Sequence, residues 1–144
     1  MEKLLYINNY HCTTVRQKGY PNNHLWGADA LTNHFDVTCA TVPDSIIRWN
    51  FKGAGFIDNF LKSLILLITY YRYPIVYAAC GDLTEAFALA NILHLGKRKL
   101  FQIKHHGGKK LLFSKGYTKI LFISPIVADL YPKVSNKETI SWGG

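Results

Sequence analysis

Two hydrophobic rhythms alternate along this chain, and no other feature narrows its possible folds so far. Runs such as Leu4–Asn8, Ile75–Cys80, Leu100–Lys104 and Ile120–Ser124 are apolar at nearly every position. Between them lie segments whose apolar residues recur at helical spacing. A strand that is apolar on both faces is buried on both faces, the condition of a parallel sheet covered by helices on each side. The spacing predicts strands at Leu4–Asn8, Asp36–Val42, Ile75–Cys80, Leu100–Lys104, Ile120–Ser124 and Thr139–Trp142. It predicts a first helix from Leu25 through Phe35 and a second over Ile57–Arg72, the second burying Phe56, Phe60, Leu64, Leu67, Ile68 and Tyr71. In a third helix Asp82 has the character of an N-cap, with Glu85 completing a capping-box pattern. That helix is expected to bury Leu83, Ala86, Phe87, Ala90 and Leu93 and to close at Gly96. A short helix around Ile126–Leu130 follows the fifth strand. The expected fold class is α/β: a Rossmann-like open parallel sheet with helices on both faces, one domain over residues 1–144.

An apolar share of 49% and a charged share of 18% describe a globular chain. Cys12, Cys39 and Cys80 are odd in number and far apart, so free thiols in a reducing compartment are expected, with neither a disulfide framework nor a zinc site. The start carries no signal-peptide pattern, and Leu64–Ile68, the longest hydrophobic stretch, is too short to span a bilayer.

Charge is concentrated in one place. Lys97–Lys119 holds eight Lys/Arg and no Asp or Glu, and so accounts for the whole net charge of +8. A pI near 9.4 favours anionic partners: phosphates, nucleic acid or acidic lipid headgroups. Within that stretch an apolar strand breaks into His105, His106, Gly107 and Gly108, as a buried strand does when it ends at a site for an anion. Ligands of open parallel sheets sit at the carboxyl ends of the strands, near the point where strand order reverses. The residues least explained by folding fall there: Asn8 and the loop to His24, then Gly81 and Asp82, then the histidine pair, then Ser124. Asp82 is more simply a helix cap, and Ser124 lacks a nucleophile elbow. His34 and His94 suit the ends of helices, and the histidine pair lacks the spacing of a zinc site.

In sequence order these pieces resemble the N-terminal half of a GT-B glycosyltransferase of the retaining, family 4-like kind. His24-Leu25-Trp26-Gly27-Ala28-Asp29-Ala30-Leu31, followed by His34-Phe35-Asp36-Val37, is similar to that family's first helix and second strand. Phe101–Gly107 resembles its strand ending in His-Gly, and Ile120–Ser124 its strand before the interdomain crossover. Thr139–Gly144 resembles the strand at which the second domain begins. The resemblance implies transfer of a sugar from a nucleotide-sugar donor to a glycan or lipid-linked acceptor. It implies a donor-sugar contact at His106, with His105 in reserve, and donor or acceptor contacts at Gly27, Trp26, His24, Asn8, Gly81, Asp82, Gly107 and Ser124. No metal or other cofactor is implied beyond the nucleotide-sugar co-substrate. The family's nucleotide-binding half is not in these 144 residues, so the chain alone is expected to be inactive, as a fragment, an excised domain or one half of a split enzyme.

Lys109–Ser114 is expected to form about two helical turns. Lys104, Lys109, Lys110 and Lys115, with Leu111, Leu112 and Phe113, form a basic-apolar segment suited to an anionic membrane surface on the cytoplasmic side. The same segment reads equally as core residues with solvated lysines. The competing functions are a non-catalytic docking subunit of a split transferase and a basic nucleotide- or nucleic-acid-binding module. No RNP-like or helix-turn-helix pattern favours nucleic acid, and Gly53-Ala54-Gly55 is an incomplete dinucleotide fingerprint.

Overall fold

The structure is a computed structural model that describes residues 1–8, 28–40, 55–79, 83–105 and 111–140. Six strands form one all-parallel sheet: β1 (Lys3–Ile7), β2 (Asp36–Cys39), β3 (Ile75–Ala78), β4 (Lys99–Lys104), β5 (Lys119–Phe122) and β6 (Lys137–Thr139). Their spatial order is β2-β1-β3-β4-β5-β6, the open Rossmann-like sheet expected from the apolar runs. Strand order reverses at β1, which pairs with β2 on one side and β3 on the other. β6 begins earlier than the predicted Thr139, at Lys137, where Ile120 of β5 sets its register.

Helices cover both faces because crossovers leaving β1 in opposite directions must, at constant hand, lie on opposite sides. On one face α1 (Ala28–Leu31) buries Ala28 against Leu4, Tyr6, Ile75 and Ala79. On the other face α2 (Gly55–Thr69), α3 (Glu85–Ile92) and α4 (Pro125–Asp129) enclose the larger core of Leu5, Ile7, Val76, Phe87, Leu100, Ile120 and Phe122.

The buried face of α2 differs from the predicted one. Asp58, Ser63 and Leu66 point inward, while Phe56, Ile68 and Tyr71 are exposed. This helix is apolar around most of its circumference, so periodicity alone could not decide which stripe meets the sheet. Phe56 and Phe60 pack instead against Phe113, which with Leu111 lies on the core.

The third helix also starts differently. Thr84, not Asp82, is the residue preceding α3, and its side chain makes no cap. The Ser63 hydroxyl of α2 accepts from the Ala86 backbone N–H at 3.0 Å and donates to the Phe60 carbonyl at 2.7 Å, so one helix caps the next. At the far end a Schellman-type pair of bonds, Leu95 N–H to Ala90 and His94 N–H to Asn91, places His94 in the left-handed region at φ 56°. The turn therefore lies at His94, two residues before the predicted stop at Gly96.

The described part of Lys109–Ser114 is a turn leading into a single 3₁₀ turn, Ser114–Gly116, rather than an α-helix. That turn is pressed onto α3: a Cβ on Gly116 would lie 2.1 Å from the Ala88 carbonyl oxygen.

Two stability effects follow from this packing. Gly116→Ala has no flexible side chain to push aside and is expected to cost about 3 kcal/mol, read from chemical unfolding. Ser63→Ala orphans a buried backbone N–H and is expected to cost about 1–2 kcal/mol in the same assay. An unchanged midpoint in either variant would contradict the contact behind it.

Candidate site at the carboxyl edge of the sheet

Polar side chains gather where β1 and β3 part company. On the α1 face, Tyr6 and Tyr77 are register neighbours and stack with ring centroids 6.0 Å apart. Asn8, directly after β1, donates from Nδ2 to the Tyr6 hydroxyl at 3.1 Å. His105 follows β4, and its Nε2 lies 2.8 Å from the carbonyl oxygen of Ala79, the residue after β3. A carbonyl only accepts, so Nε2 carries the hydrogen and the imidazole is tethered across two strand ends. Burial of Tyr77 pushes its phenol up to about 12, because the phenolate would lose its water.

The predicted site divides between the two faces. Strand alternation sends Asn8 and His105 to the α1 face, and Lys104 and Ser124 to the face of α2 and α3. The Ser124 hydroxyl accepts from the Ile126 N–H at 3.1 Å, so it caps α4 and takes the structural role open to it. Lys104 is 7% exposed and hence part of the interior, not of a solvated patch. Lys115 lies in the 3₁₀ turn before β5, at the opposite, amino edge of the sheet. The expected patch of Lys104, Lys109, Lys110 and Lys115 is thus corrected in its two described members: Lys104 is buried at the carboxyl end of β4, and Lys115 lies at the amino edge before β5. Of its apolar companions Leu111 and Phe113 are core, and Leu112 alone is exposed. His24, Trp26, Gly27, Gly81, Asp82, His106, Gly107, Lys109 and Lys110 lie outside the described residues.

Sequence reasoning missed a set of buried polar groups beneath this edge. Thr84 donates to Gln102 Oε1 at 2.7 Å, so the Tyr117 hydroxyl, 2.8 Å away, must donate to Thr84. Gln102 Nε2 in turn donates to the Ile103 carbonyl at 2.8 Å. Asp58 and Lys62 form an ion pair at 2.9 Å with both side chains largely covered, and Glu85 is also buried. The signal was available: Gln102 and Lys104 interrupt an apolar strand on one face.

Cys39, at the end of β2, is disulfide-bonded, which overturns the expectation of three free thiols. Cys12 and Cys80, its possible partners in the sequence, lie outside the described residues. Among the described residues no group of three His, Cys, Asp or Glu is placed to hold a metal ion, and no helix is long and apolar enough to cross a membrane.

Set against protein-family models, curated proteins and solved structures, the chain matches none. The site is therefore read from its own chemistry: a buried Tyr6 beneath the half-buried Tyr77, an amide and a tethered imidazole.

The raised Tyr77 group sets an alkaline limit. A tyrosine near 10 when unfolded and about 12 when folded leaves stability intact below pH 10 and removes it as pH rises towards 12. The loss is expected to reach about 2 kcal/mol, and Tyr77→Phe should blunt that decline. Identical decline in wild type and variant between pH 10 and 12, followed by unfolding in urea, would contradict the assignment.

Proposed function

We propose that this chain is the acceptor-side domain of a retaining GT-B glycosyltransferase, which moves a sugar from a nucleotide-sugar donor to a glycan or lipid-linked acceptor in polysaccharide or glycolipid synthesis. The observation that carries this reading is the tethered His105. It stands at the head of a histidine pair after β4, on the edge where strand order reverses one strand away. In this reading Nε2 of His105 is already committed to Ala79, so His105 positions the turn and His106 contacts the donor sugar.

Transfer breaks the bond from the anomeric carbon to the diphosphate oxygen and forms one to the acceptor hydroxyl. Negative charge accumulates on the leaving diphosphate, and an N–H donor fixed beside it lowers the barrier. Asn8 and the exposed part of Tyr77 supply hydrogen-bonding and stacking surface for the acceptor. A second, nucleotide-binding domain grips the donor's nucleotide. In this reading the exposed Leu112 and the basic segment around it meet anionic lipid at a membrane surface.

Transfer and donor hydrolysis, measured across uridine, guanosine and thymidine diphosphate sugars together with the polypeptide encoded directly downstream, test the proposal. His106→Ala is expected to lower turnover about 100-fold at unchanged melting temperature. His105→Ala is expected to lower both turnover and melting temperature, because it also cuts the tether to β3. Neither turnover nor saturable binding of any donor would overturn the reading.

A further inference from the structure

The basic stretch does most of its work away from the site just described. Lys97, Arg98 and Lys99 enter β4 and Lys115 precedes β5, so these four cations stand together at the amino edge of the sheet. They line an open pocket of about 480 Å³ with His94 and Thr118, and Glu2 is the one carboxylate among its lining residues. Lys119, by contrast, is paired with Glu138 on β6. No ion pair joins Lys97, Lys99 or Lys115 to another described residue.

Arg98 sets this pocket apart from a row of solvated lysines. Its guanidinium carbon lies 5.7 Å from the Phe87 ring centroid, and Nη2 donates to the Tyr71 carbonyl at 3.3 Å. Nε and Nη1 are shielded from water and have no hydrogen-bond partner. Buried guanidinium N–H groups without an acceptor are costly, and the field of an anion bound in the adjoining pocket offsets that cost.

The wall around them is rigid. The left-handed His94 and Gly96, at φ 111°, turn the chain tightly, and Asn91 Nδ2 ties α3 to the carbonyls of Arg98 and Gly116. The carboxyl ends of α2 and α3 bring partial negative charge to this edge, about half a charge each. With Glu2 they offset about half of the four cations, which leaves an excess of roughly two positive charges.

We infer that the amino edge holds a second site, independent of the proposed transferase chemistry, which takes a phosphate-bearing ligand with at least two negative charges. Lys97, Lys99 and Lys115 supply most of the field, and Arg98 adds a guanidinium held in the pocket wall.

The test is a titration of the whole chain with inorganic pyrophosphate at fixed ionic strength, followed by backbone amide shifts. Saturable shifts are expected at Gly96, Arg98, Lys99, Gly116 and Thr118. Affinity should fall by about tenfold or more in the Lys97→Ala/Lys115→Ala double variant and stay unchanged in Lys133→Ala. Those lysines make no hydrogen bond to another described residue, so the double variant should keep the wild-type melting temperature. Phosphatidylglycerol vesicles that bind the protein and release it to pyrophosphate would support the site with a lipid headgroup as its ligand. Pyrophosphate binding without vesicle binding would support it with a soluble phosphate ester. Shifts that chloride reproduces at the same ionic strength, or an affinity unaltered in the double variant, would overturn it.

Discussion

The close seating of α3 on β4 and β5 is the contact on which both edges of this molecule depend. Gly116 lets the helix backbone approach to within the space of a methyl group, and no side chain larger than hydrogen fits between. The Thr84–Gln102–Tyr117 chain fixes the start of the helix to the sheet, and Asn91 fixes its end. Each of these bonds is buried or half-buried, where an unmatched donor or acceptor costs more than a matched pair contributes. The arrangement therefore tolerates little slippage. Its two ends open onto the two sites: the carboxyl edge with His105, and the amino edge with Arg98.

Separation of charge follows from this geometry. A basic stretch continuous in sequence is threaded through a strand, so Lys97, Arg98, Lys99 and Lys115 gather at the amino edge, about 20 Å from the other end of the strands. Lys104 remains inside, among the buried polar groups of Asp58, Ser63, Thr84, Glu85 and Gln102. Linear charge density did not show that one of these cations is buried and four others share the amino edge. Among the described residues the carboxyl edge presents Asn8, the His105 imidazole and part of the Tyr77 phenol. The amino edge presents unpaired cations, chemistry for phosphate.

Legibility differed by element for identifiable reasons. Strands β1, β3, β4 and β5 were plain because each carries a continuous apolar run, Leu4–Ile7, Ile75–Ala78, Leu100–Phe101 with Ile103, and Ile120–Phe122, a pattern that double-sided burial explains. Ala86, Phe87 and Ala90 were placed correctly on the buried side of α3, whereas Leu93, expected there too, is exposed beyond the end of the helix. The inward stripe of α2 was illegible, since Ile57, Leu61, Leu64, Ile65 and Ile68 offer apolar alternatives to Leu66 on nearly every side. Asp82 and Glu85 spelled a capping box, yet a hydroxyl from another helix took that position, and local pattern carries no information about such a partner. Asn8 and His105 were correctly drawn to one edge by topology. That His105 reaches the Ala79 carbonyl, and that Ser124 turns away to cap α4, required the third dimension.

What the sequence determined by itself is the parallel, two-sided α/β architecture, because the period of apolar residues dictates how many faces each element buries. It also determined that one segment carries the net charge. Tertiary structure alone decided where that charge appears, which stripe of α2 faces inward, and that Cys39 is bonded. It also decided that a glutamine, a threonine and a tyrosine distant in sequence satisfy one another in the core. Those outcomes depend on distances across the sheet, and neighbours across a parallel sheet are separated along the chain by whole helices.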